Sequence, residues 1–285
     1  MPHRLEERMM PEWMVESSQL SDVGQKRKHN EDYVGFYEPY RITDLKAYGR
    51  LYVLADGVGG ATAGDVASQY TVNKIIHSYY QGHTDDDHGT RLRQAIEEVN
   101  ADIFAQNRDR SDHREMATTV VAAIIHGDEL IVANVGDSRA YVIRGDTIEQ
   151  ITEDHSLMAE MINDGVITAE QAATHPYRNV ILRSVGAYET VQVDLFFRQI
   201  DPEDILVLCS DGLTHLVSNR ELVEIAGAHP PAEAARQLVA LANERGGDDN
   251  ISVSITYISR EQIQGDIPGA GQLPKMPRWE DLQHP

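Results

Sequence analysis

The chain has a single cysteine, Cys209, among 285 residues, so no disulfide can form within it. Cys209 closes an apolar run from 205 to 209, where a small buried hydrophobe is the ordinary reading, and the scarcity of thiols fits a reducing compartment. No stretch approaches the roughly 20 apolar residues that a membrane helix requires. Residues 1–14 are mostly polar and charged, with no apolar signal core. A soluble, cytoplasmic protein without a membrane partner is therefore expected. Basic residues are also in deficit, 25 against 46 acids, for a net charge of −21. Such a surface argues against nucleic acid, whose phosphates need a basic face. It also makes the chain a poor phosphate binder unless bound cations reverse the field locally.

What is present is an ordinary globular balance, 41% hydrophobic and 25% charged, enough to fill a sizeable core. No internal repeat or convincing linker divides the chain, so one domain is expected over 15–258. It is flanked by a tail at 1–14 and a flexible tail at 259–285, the latter rich in Gly, Pro and Gln. Segments rich in Val, Ile and Tyr predict strands at 33–37, 51–55, 119–125, 130–134, 140–143, 191–197, 205–209 and 251–258. Helical patterns fall at 64–80, 90–107, 219–227 and 231–244. Helices follow helices and strands follow strands, with short turns at His126-Gly127-Asp128 and Arg144-Gly145-Asp146. This is not the alternation of a doubly wound sheet. It predicts an α+β layered sandwich, two antiparallel β-sheets flanked by pairs of α-helices. Residues 153–176 stand apart as a small helical flap. Met158, Met161 and Ile162 share a face ending at Gly165, and a capping box, Thr168-Ala-Glu-Gln171, opens a second short helix before Pro176.

Acidic residues gather where apolar strands end. Asp56-Gly57 and Asp211-Gly212 follow two such runs, Gly136-Asp137-Ser138 follows a third, and Asp248-Asp249-Asn250 precedes a fourth. A carboxylate beside the core is costly unless it is paired or metal-bound. Hard cations such as Mg²⁺ and Mn²⁺ take oxygen ligands of this kind, and the glycine after Asp56 lets the backbone approach closely. An Asp-Gly pair after a strand is also an ordinary turn, so spacing leaves both readings open. The segment Asp22-Val-Gly-Gln-Lys-Arg27-Lys-His-Asn30-Glu31-Asp32 adds an arginine able to hold a phosphate through two parallel hydrogen bonds.

These segments together resemble the metal-dependent protein serine/threonine phosphatases of the 2C type, especially the bacterial branch. Seven elements carry the resemblance in order. They are Arg27 to Asp32, Ala55-Asp56-Gly57-Val58-Gly59-Gly60, Asn134 to Tyr141, Thr152 to Ser156, Asn179 to Gly186, Ser210 to Leu213, and Asp248 to Val253. The resemblance implies hydrolysis of phosphoserine and phosphothreonine on proteins by a metal-bridging hydroxide, opposing serine/threonine kinases. It implies two catalytic Mn²⁺ or Mg²⁺ ions and room for a third. Asp56 would bridge the two ions, with the Gly57 carbonyl on the second. Asp211 and Asp249 would complete the first, and Glu31 would serve the second through water. Asp32 would orient the attacking water, and Arg27 would grip the phosphate. Asp137, with Asp211, would hold the third, weaker ion. A monomer is expected. Eukaryotic members often place a histidine, proposed as general acid, where this chain has Val58, which leaves that role unassigned.

Rival readings fare worse. Gly57-Val-Gly59-Gly60-Ala-Thr62 mimics a dinucleotide fingerprint, but the third glycine is Thr62 and Asp56 would repel pyrophosphate. A P-loop fails because Asp65 stands where lysine is needed. A calcium loop at Asp85-Asp-Asp87 fails for want of a bidentate glutamate at Ile96. His155 and His175 read as packing or solvent residues. A catalytically silent binding protein on the same fold remains the functional alternative, distinguished by the absence of metal-dependent turnover.

Overall fold

Apolar residues on both faces of the central strands decide the architecture. The computed structural model describes residues 12–58, 63–82, 87–109, 116–267, 273–277, 279 and 282. In β3 (Arg50–Val58), Leu51, Val53 and Ala55 point one way, Tyr52 and Leu54 point the other, and all five are buried. β5 (Val120–His126) and β10 (Ile205–Cys209) behave alike. A strand buried on both faces needs a layer on each side.

Five antiparallel strands form one sheet in the order β1 (Trp13–Asp22), β11 (Ile251–Gln262), β10, β7 (Arg139–Arg144), β8 (Thr147–Gln150). The second runs β2 (Asp32–Tyr37), β3, β5, β6 (Glu129–Val135), β9 (Asp194–Gln199), with the two-residue β4 (Ala117–Thr118) on β3. The sheets meet through Tyr52, Leu54, Val121, Val132, Val142, Leu206 and Leu208. Helices α2 (Gly64–Gln81) and α3 (His88–Asp109) cover the second sheet through residues such as Val72, Ile75, Ile76 and Ile96. Helices α7 (Asn219–Ala228) and α8 (Pro231–Glu244) cover the first through Leu222, Ala235 and Leu238. The result is the α+β sandwich expected from the sequence. Cys209 is buried in it, and burial pushes its thiol up to about 12, so it is inert. No helix among the described residues is long and apolar enough to cross a membrane.

Several elements differ from expectation for physical reasons. β1 escapes the hydrophobic pattern because its inner seam is polar: Ser21 and Gln19 stand opposite Ser252 and Ser254 of β11 and hydrogen-bond to them. The helices α1 (Ile42–Tyr48) and α6 (Asp211–Thr214) are too short to show a period. β8 is a mostly exposed edge strand, and β9 starts three residues later than its apolar run. The boundary expected at 258 falls inside β11, which continues to Gln262. Beyond it, Leu273, Met276 and Trp279 pack on the core, Leu282 is buried, and Trp279 stacks on Tyr70 of α2 at 3.9 Å between ring centroids. The flap holds α4 (Leu157–Asn163) and α5 (Ala169–Ala173), and the capping box between Thr168 and Gln171 forms as expected. Residues 1–11 of the expected N-terminal tail, Gly59 to Thr62, Asp85 and Asp86 lie outside the described residues.

Candidate active site

The acids singled out in the sequence converge on one end of the sandwich. Asp56, near the end of β3, stands directly opposite Asp32 of β2, a like-charged pair across a ladder that is unfavourable unless neutralised. Gly57 follows, packed so closely that a Cβ there would lie 2.3 Å from Gly64 O and 2.7 Å from Glu31 O. Only glycine lets the Asp56 backbone, the start of α2 and the Glu31 backbone meet. The Asp56 carbonyl accepts from Thr119 N–H (2.8 Å) and Thr118 Oγ1 (2.8 Å), which fixes the strand end. Asp211 and Asp249 arrive from the other sheet, at the end of β10 and just before β11. Asp137 follows β6 and is 6% exposed.

Repulsion and burial leave their mark on proton affinity. Burial, then the neighbouring Asp211 and Asp249, raise Asp32 to about 7, although hydrogen bonds from Ser252 and Ser210 oppose the shift. Burial and Asp211 raise Asp137 to about 8. Asp211 is also raised, by burial first and Asp249 after it, with His215 opposing. Asp56 is raised well above the carboxylate range by burial and by Asp32, Asp211, Asp137 and Asp249 in turn.

Buried oxygens without partners mark where a counter-charge belongs. Asp32 Oδ1, Asp137 Oδ1 and Asp211 Oδ1 are buried and unbonded, while Ser210 Oγ holds Asp32 Oδ2 at 2.8 Å. Orphaned carboxylate oxygens are expensive, and divalent cations would satisfy them. Among the described residues no three such side chains already form a finished ligand shell. The chain instead offers an all-oxygen donor set held in mutual repulsion, which fits Mn²⁺ or Mg²⁺. Arg27, Asp137, Asp211 and Asp249 line one cleft of about 640 Å³, walled on the flap side by Met158, Ile162 and Ala172. Arg27 Nη2 donates to Asp249 Oδ2 at 2.7 Å, and Asp249 Oδ1 accepts from Asn250 N–H at 2.8 Å.

A sequence model of the family described as Protein phosphatase 2C matches residues 25–246. The chain belongs to the protein phosphatase 2C family. It is 39% identical to the serine/threonine phosphatase stp of Listeria innocua over 237 residues, 82% of this chain and 92% of that protein. The S. agalactiae serine/threonine phosphatase structure matches at TM-score 0.78 and 35% identity, covering 86% of this chain and all of that one. The catalytic domain of the serine/threonine protein phosphatase PstP in complex with two manganese ions matches at TM-score 0.74 and 32% identity, with 86% and 98% covered.

This protein phosphatase 2C chain also uses residues whose part the sequence did not disclose. Asn250 is the organiser of the Arg27–Asp32 segment: its Oδ1 accepts from Glu31 N–H (2.8 Å), and its Nδ2 donates to the carbonyls of Val23 (2.9 Å) and His29 (3.0 Å). An asparagine between an acid and a buried strand was the only signal. Ser210, just ahead of Asp211, orients Asp32. His155, expected to pack or face solvent, has its side chain tucked within a hydrogen-bonded cluster, whereas His175 is half-exposed and accepts from Tyr177 N–H at 3.2 Å.

Proposed function

We propose that this chain hydrolyses phosphoserine and phosphothreonine on cytoplasmic proteins, reversing the work of serine/threonine kinases. One observation carries the reading: four acids from both sheets, Asp32, Asp137, Asp211 and Asp249, crowd around Asp56, and three of their buried oxygens have no partner, at the edge of a cleft that also holds Arg27. In this reading Asp56, the Gly57 carbonyl, Asp211, Asp249 and, through water, Glu31 would hold two divalent ions, and Asp137 with Asp211 would hold a third, weaker one. Bound Mn²⁺ or Mg²⁺ supplies a water of lowered pKa and neutralises charge on the transferring phosphoryl group.

The chain's own groups do the rest. Ser210 fixes one oxygen of Asp32, so the other can hold the attacking water in line with the phosphorus. Arg27 uses one N–H on Asp249, leaving the remaining donors of its half-exposed guanidinium for the phosphate oxygens. Val58 offers no proton to the leaving alkoxide.

The test is hydrolysis of a phosphothreonine peptide with manganese, with magnesium and with excess chelator, beside Asp211→Asn. Turnover is expected to require metal and to fall at least about 100-fold in the variant, the scale on which losing one charge-stabilising group acts. No turnover by folded, metal-loaded protein would instead make the chain a binding protein on a phosphatase fold.

A further inference from the structure

The flap leaves and rejoins the sandwich around one histidine. His155 has a side chain only 8% exposed. Its backbone N–H donates to Gly136 O at 2.9 Å, and Gly136 N–H donates back to His155 Nδ1 at 2.9 Å. Six residues past the flap, Leu182 N–H donates to His155 O at 2.8 Å. Because Nδ1 accepts, the ring proton lies on Nε2. Nε2 donates to Asp194 Oδ2 at 3.0 Å, at the start of β9. Arg183 Nη1 donates to Asp194 Oδ1 at 2.8 Å and sits 3.0 Å from Nε2, so one carboxylate orients both the neutral ring and the guanidinium.

Gly136 immediately precedes Asp137, and little there can move. Its φ is +112°, and a Cβ would lie 2.6 Å from Thr119 Cβ. Its carbonyl also accepts from Asn134 Nδ2 at 3.2 Å. On the other side of Asp137, Ser138 Oγ is 2.7 Å from Thr119 Oγ1, which in turn accepts from Asp56 N–H at 3.1 Å. A continuous line of hydrogen bonds therefore runs from Asp194 through His155 and the Asp137 turn to Asp56.

We propose that His155, oriented by Asp194 and Arg183, is a positioning residue that aims Asp137 into the acid cluster and ties that aim to the seating of the flap. The proposal rests on the reading of Asp137 as a ligand of the third, weaker ion. Neither the ring nor its partners Asp194 and Arg183 line the cleft that holds Arg27. The ring acts through the Gly136 peptide, whose rotation would swing Asp137 Oδ1 out of its buried place. By reciprocity, a cation held at Asp137 stabilises the seated flap by the same factor that the flap stabilises the cation.

Calorimetric titration of Mn²⁺ into metal-stripped protein reads the sites apart from turnover, and Asp137→Asn identifies the isotherm belonging to Asp137. Two substitutions separate positioning from packing. His155→Gln keeps a donor near Asp194 but removes the acceptor for Gly136 N–H. His155→Asn puts a carbonyl oxygen where Nδ1 stands. The Gln variant is expected to weaken the Asp137-dependent site about 10- to 100-fold, leaving the tighter sites unchanged. The Asn variant is expected to stay near the parent, with thermal midpoints of both close to it. Unchanged binding in His155→Gln would overturn the proposal. So would equal weakening in both variants that tracks a common fall in thermal midpoint, or a parent lacking any Asp137-dependent isotherm. Parent turnover on the phosphothreonine peptide is recorded alongside. Its absence would count against the phosphatase reading, while the titration decides the role of His155 separately.

Discussion

One amide at residue 250 does the work of a small scaffold. By bonding Glu31 N–H and two carbonyls, Asn250 holds a loop more than 200 residues away in sequence against the start of β11. Asn250→Ala removes all three bonds and leaves buried polar groups unpaired. It is expected to destabilise the chain by about 2 to 4 kcal/mol in urea unfolding and to raise the metal concentration needed for activity. A variant as stable as the parent, with the same metal requirement, would show that the loop is held some other way. The contrast between residues read from the sequence and residues missed follows from this. Asp56, Asp211 and Asp249 were legible because each ends or begins an apolar strand beside a glycine or a second acid. Asn250 and His155 were not, because their roles depend on partners that only the fold brings within 3 Å.

At the scale of elements, strands buried on both faces announce themselves as apolar runs: β5, β6 and β10 were found within a residue, while β3 runs three residues past its expected end, through Asp56 and Gly57. β1 is as central to the site as any of them, since it pairs along β11 up to Asp22, beside the Arg27 segment. Its serines and glutamine carry no such signal, because they hydrogen-bond with β11 instead of packing apolar groups. The β3–α2 junction is a tight joint. Gly57→Ala would force a Cβ into Gly64 O, so the first turn of α2 or the Asp56 strand end must shift. We expect a loss of about 1 to 3 kcal/mol, the ordinary cost of overpacking, together with weaker Mn²⁺ binding by titration. Parent-like values of both would mean the junction has slack.

For the molecule as a whole, the site lies across the two sheets, with Asp32 and Asp56 from one and Asp211 and Asp249 from the other. Cations there would clasp the sandwich, so saturating Mn²⁺ is expected to raise the thermal midpoint and chelator to lower it. The metal-free protein should also depend on pH in a definite direction. Asp32 at about 7 and Asp137 at about 8 lie above the unfolded value of about 3.9, so the native state holds more protons than the unfolded chain. Stability without metal is then greatest at the acid side of that window and declines as pH rises from about 4 towards 8. Thermal scans in chelator from pH 5 to 8 check this, and a midpoint that rises with pH would contradict it. Asp32→Asn should flatten the slope.

The stacking of Trp279 on Tyr70 carries a consequence of an optical kind. The chain has two tryptophans, Trp13 in β1 and Trp279 against α2, the helix whose first residue abuts Gly57. Its ultraviolet emission is therefore an intrinsic reporter of how the C-terminal segment seats on that helix. With Trp13→Phe the signal comes from one indole, and release of the segment from α2 becomes a fluorescence change readable in real time, without any attached label.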